Sequence, residues 1–137
     1  MVILDRIGCG KENKTREEIE SDIERKLFRS GWADRACAVA IDPELENWIW
    51  VNEPRISGAI SWESETGIYE WLHNKNWKEE GSLKPAQPKE AFETLLRQCR
   101  MPRSSSIYRD IAERASYDHC QDPAFRKMLG QLKNWLE

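Results

Sequence analysis

No run of eighteen apolar residues occurs in the 137-residue chain, so the sequence holds no candidate for a membrane-spanning helix. Its apolar opening, Met1-Val2-Ile3-Leu4, is broken at once by Asp5 and Arg6 and is too short for the apolar core of a secretory signal. Cysteine is sparse and scattered. Cys9, Cys37, Cys99 and Cys120 form neither a zinc knuckle nor a redox CxxC pair, and without a signal segment they read as reduced thiols of a cytoplasmic protein that carries no metal and no cofactor. A basic excess is also missing. The 21 basic and 24 acidic residues leave a net charge of -3, whereas a domain given over to nucleic acid usually has a positive balance.

Two chemical motifs are incomplete. Gly8-Cys9-Gly10-Lys11 follows the short strand expected at Val2 to Leu4, but a GxxxxGK[ST] phosphate loop ending at Lys11 has Asp5 in place of its first glycine and Glu12 in place of its hydroxyl. Glu63, Glu65 and Glu70 lie near His73, yet on a strand Glu70 and His73 differ by an odd number and point to opposite faces. His119, beside Cys120, stands far from both in sequence. No convergent acid and base can be assembled, so no catalytic residue is named and a small hydrolase is the most distant functional expectation.

What is present describes one globular domain over residues 1–137. Hydrophobic residues make up 39% and charged residues 33% of the chain, with a mean hydropathy of -0.77. That balance suits a packed core under a charged exterior rather than a disordered chain. Thr15-Arg16-Glu17-Glu18 reads as a capping box, and Ile19, Ile23, Leu27 and Phe28 then follow at helical spacing until Gly31. Residues 35–74 are rich in β-branched and aromatic side chains broken by Pro43, Pro54, Gly58 and Gly67. They predict strands at Ala36 to Ile41, Asn47 to Asn52, Ile56 to Trp62 and Gly67 to His73, with a hairpin tip at Glu63 to Gly67. Helical spacing returns with Phe92, Leu95, Leu96 and Cys99, breaks at Pro102, and resumes with Ile107, Tyr108, Ile111, Ala112 and Ala115. Asp122-Pro123 then opens a last helix whose stripe of Phe125, Met128, Leu129, Leu132, Trp135 and Leu136 is expected to be core. The expected fold is α+β: an N-terminal helix, an antiparallel sheet of three to five strands, and three C-terminal helices packed on one of its faces.

Two features carry functional readings. Arg97, Arg100, Arg103 and Arg109 fall in a stretch without acids, together with Ser104 and Ser105. Guanidinium forks, hydroxyls and free helix-end amides there suit an anion or a nucleic-acid phosphate, while the plainer alternative is that they complement helix ends. Seven tryptophans are many for this length. Trp48, Trp50, Trp71 and Trp77 offer a partner contact surface, or else form the inner face of the sheet. The leading expectation is a non-enzymatic binding protein, such as a regulator, inhibitor, immunity-type protein or assembly subunit. Its partner is another protein or protein complex and not a membrane, and a nucleic-acid-associated subunit using the arginine stretch comes second.

Overall fold

The computed structural model describes residues 1–50, 53–77, 81–82, 84–114, 116–118 and 120–137, with the side chains of 53–55 outside that description. Contacts divide the chain into two compact units, Met1–Leu45 with Cys120–Glu137, and Glu46–His119.

The first unit is built on a βαβ crossover. Strand β1 (Val2–Asp5) leads through a glycine-containing loop to helix α1 (Arg16–Arg29), and the chain returns as strand β2 (Ala38–Ile41). The two strands pair in parallel, Val2 opposite Ala38 and Asp5 opposite Ile41, as a helical crossover of this length requires. α1 starts where the capping box places it. Thr15 Oγ1 accepts from the Glu18 amide (3.2 Å), and the Glu18 carboxylate accepts from the Thr15 amide (2.8 Å). Thr15→Ala is expected to remove about 0.5–2 kcal/mol of stability in a urea titration, with Thr15→Ser close to wild type.

β2 is buried along its whole length, and its edge away from β1 is closed by side chains rather than by a third strand. The Ala38 and Ala40 amides donate to Glu24 (3.0 Å) and Glu20 (2.9 Å) of α1. The spacing explains the fit. Two residues of strand advance about 6.6 Å, and one i,i+4 step of helix advances about 6 Å, so two carboxylates on one helix face match two outward amides. Helix α6 (Pro123–Leu136), capped by Asp122 on the Phe125 amide (3.1 Å), packs on the same strand.

The second unit is helical among its described residues. A short 3-10 turn (Leu45–Trp48) leads into it, followed by α2 (Glu53–Ala59), α3 (Ile68–Asn74), α4 (Pro88–Gln98) and α5 (Ser105–Arg114). Its core is a stack of pairs four residues apart: Ile56 with Ile60, Ile68 with Leu72, Phe92 with Leu96, and Ile107 with Ile111. Trp50 meets Phe92 edge-on at 6.3 Å and donates its indole N–H to the Pro88 carbonyl (3.0 Å).

The antiparallel sheet expected over 35–74 is therefore not the architecture. Of its four strands only Ala36 to Ile41 survives, in parallel pairing. Residues 47–50 are a turn, with 51–52 outside the described residues, and the other two predicted strands are α2 and α3. Their β-branched and aromatic content suggested a sheet, but the buried positions recur every four residues, so helical burial on one side outweighs intrinsic preference. The hairpin tip at Glu63 to Gly67 is the α2–α3 connection. The C-terminal helices form as expected at Pro102 and Asp122, but they do not cover one sheet face together: α4 and α5 build the second unit's core, while α6 packs on β2.

Candidate functional site

The arginine stretch lies where α4 ends and α5 begins, and its members go to separate settings. Arg103 is committed to its own chain. Its guanidinium donates to Glu46 (2.8 Å), Glu93 (3.2 Å) and the Tyr108 hydroxyl (2.8 Å), and it lies over the Tyr108 ring at 5.6 Å. Tyr108 also donates to Glu46 (2.6 Å). Burial, and then the Glu46 carboxylate, push the Tyr108 hydroxyl well above the usual phenol range. Two carboxylates already neutralise Arg103, so it does not offer a free charge to an anion. Arg97 is exposed on α4 and donates to Thr94 (2.9 Å). Arg109 is exposed on α5, Ser105 opens that helix, and Ser104 shares a hydrogen bond with Ser106 (2.8 Å).

Arg100 has a different environment. It lines a cleft of about 430 Å³ with Ser61, Trp62, Glu63, Ser64, Trp71, Gln98 and Cys99. The cleft sits where two helices stop. At the end of α4 the Arg100 amide donates to Arg97 O (3.1 Å) and the Met101 amide to Leu96 O (2.9 Å), the two bonds of a Schellman ending, which puts Arg100 in the left-handed region at φ 53. Beyond α2 the Trp62 amide donates to Ser57 O (3.2 Å), and Ser61 has φ 51. Trp62 and Trp71 meet edge to face at 5.7 Å and 71°, and the Trp62 indole N–H is tied to Thr66 O (2.8 Å). Burial, and then the Glu63 carboxylate, raise the Cys99 thiol above its usual range.

The four tryptophans singled out in the sequence separate accordingly. Trp48 and Trp50 are buried, Trp77 is half-buried against the helical core, and Trp71 forms a wall of the cleft. Sequence reasoning thus named Trp71 and Arg100 on different grounds, and the fold brings them to one place. It missed Trp62 and Glu63 as their neighbours, because the segment carrying them was read as strand and hairpin. Glu70 and His73, placed on opposite faces of a strand, lie three apart on the exposed side of α3.

The glycine loop after β1 is filled by its own chain. The Gly8 and Gly10 amides donate to Glu12 Oε1 (2.9 and 3.2 Å), and hydrogen bonds from backbone amides, the Glu12 amide first, hold that carboxyl below its usual range. A cavity of about 550 Å³ nearby, at the carboxyl ends of the strands, is lined by Arg6, Lys14 and Arg16 among others. All three are ion-paired, with Asp42, with Asp22, and with Glu17 and Glu20 respectively.

The last feature is apolar. The stripe on α6 was expected in the core, but Leu129, Leu132, Trp135 and Leu136 are 39%, 37%, 39% and 83% exposed. Only the first turns are seated, through buried Ala124 and half-buried Phe125 and Met128. The reason is length: a strand of four residues runs about 13 Å, and a helix of 14 residues runs about 21 Å. The four cysteines are free, no group of metal-binding side chains occurs among the described residues, and no helix there is long and apolar enough to cross a membrane. No family model, curated protein or solved structure matches the chain.

Proposed function

We propose that the chain is a binding protein that acts through contact with another protein, in the cytoplasm, and that the outer half of α6 is the contact. The observation that carries this reading is the exposure of Leu129, Leu132, Trp135 and Leu136 on one helix. Positions 129, 132 and 136 form a single stripe at helical spacing, and a contiguous apolar surface of this kind favours association. The surrounding charge narrows the partner. Lys127 is taken up by Glu20 and Glu24, but Arg126 and Lys133 remain on a helix that has no acid between Pro123 and Leu136, which suits an apolar groove rimmed by carboxylates, entered by a helix. The four free thiols agree with a reducing compartment.

The test is Leu132→Glu combined with Leu136→Glu, compared with wild type by thermal melting and by sizing of native extracts. Leu136, 83% exposed, should tolerate the change within about 0.5 kcal/mol, and the change at Leu132, 37% exposed, should cost about 1–2 kcal/mol. The double variant therefore still melts as a folded protein, while a stoichiometric protein partner present with wild type is lost. Recovery of wild type as a free monomer overturns the reading. So does a complex that dissolves steeply with salt and depends on Arg97 and Arg109, since that pattern belongs to nucleic acid.

A further inference from the structure

We propose that the cleft at the ends of α2 and α4 binds a small zwitterion with a flat apolar side group, of the class of an aromatic α-amino acid. In this arrangement the ring lies against Trp62 and Trp71, the carboxylate meets Arg100 and the ammonium meets Glu63.

The volume, about 430 Å³, falls within the range of small-molecule sites. The walls are preformed: Trp62 is held by its hydrogen bond to Thr66 and by its edge-to-face contact with Trp71. Indole faces and edges favour a flat ring over an open chain. The charges select the rest of the ligand. Glu63 and Arg100 both line the cleft, yet they form no ion pair with each other or, among the described residues, with any other side chain. A simple anion is attracted by Arg100 and repelled by Glu63, and a simple cation the reverse. A molecule carrying both charges satisfies both.

The backbone gives an independent reason to regard Arg100 as functional. α1 ends with Gly31 at φ 85, and the chain just after α3 passes through Asn76 at φ 56, residues that suit a left-handed helix end. Of the other non-glycine residues with positive φ among the described residues, Ala33 lies in the short turn after α1, and Ser61 and Arg100 both line this one cleft. Glycine is what the Arg100 position favours conformationally, so an arginine there sacrifices stability for a side chain directed to the cleft, as binding sites commonly do. None of the cleft residues belongs to α6, so variants that test the one leave the residues of the other unchanged.

Arg100→Gly provides the discriminating test, because the two roles of the residue move in opposite directions. The probe is L-phenylalanine, followed through the indole N–H signals of Trp62 and Trp71 by NMR. Wild type is expected to show saturable shifts of these signals. Arg100→Gly should abolish them while raising the melting temperature by about 2–5 °C. Glu63→Gln should weaken binding about tenfold or more, as should replacing the probe by 3-phenylpropionate or phenethylamine, each of which lacks one charge. Arg100→Asn, which tolerates the left-handed backbone without the charge, should behave as Arg100→Gly does in binding. Absence of saturable shifts at millimolar probe, binding that survives Arg100→Gly, or equal affinity for either half-ligand overturns the proposal.

Discussion

Glu46→Ala is expected to destabilise the chain by about 1–3 kcal/mol, the usual consequence of leaving a buried polar group without its hydrogen-bond partner. Glu46 is 2% exposed and accepts from both Arg103 and Tyr108, so its loss leaves a half-buried phenol without its acceptor, while Arg103, half exposed, keeps Glu93. The effect is read as a drop in the urea midpoint at unchanged slope. Glu46→Leu with Arg103→Met should recover much of the loss, because an apolar pair leaves no orphaned charge. A drop below about 1 kcal/mol would show that the network is no more than a surface ion pair. The same contact sets a pH dependence. Since Tyr108 titrates higher in the folded chain than its ordinary value of 10.0, the stability it contributes is complete below that pH and is lost as pH rises through the folded value. In Glu46→Ala the alkaline limb should move down, measured as phenolate absorbance.

Glu20→Ala is expected to cost more, about 3–5 kcal/mol, because Glu20 and its partner Arg16 are both largely covered. Glu20, 4% exposed, joins three elements: its carboxylate accepts from Arg16 (2.7 Å), from the Ala40 amide (2.9 Å) and from Lys127 of α6 (3.0 Å). Without it, the Ala40 amide on the edge of β2 loses its acceptor and Lys127 is left with Glu24 alone, and the open edge becomes available for pairing with another chain. Chemical denaturation together with light scattering checks both consequences, and a variant as stable and as monodisperse as wild type would sink the idea. Glu24 adds an acid limb. Burial works to raise its carboxyl, but the Ala38 amide and Lys127 outweigh that and hold it below the ordinary value. Its contribution is therefore present above the usual glutamate range and disappears as pH falls through the lowered folded value. Glu24→Gln should flatten that acid limb relative to wild type.

Helix ends were legible in the chain because their causes lie within about one turn of helix. Thr15 with Glu18, Gly31 after α1, and Asp122 before Pro123 are chemical statements between near neighbours, and each is found where the residues place it. Strand positions at Val2 to Leu4 and up to Ile41 were legible for the same kind of reason. What the strands pair with was not, because β1 and β2 meet across some 36 residues of sequence and parallel pairing has no local signature. Between residues 47 and 74 the side chains favour strands, and only burial on a helical core, through Ile56, Ile60, Ile68 and Leu72, decides otherwise. The functional surfaces follow the same division. Arg100, Trp71 and the α6 stripe are conspicuous as residue types. Whether Arg103 is free or neutralised, whether Leu132 is core or surface, and whether Glu63 stands beside Arg100 depend on which distant elements meet. Those contacts are long-range, so composition and spacing along the chain do not determine them.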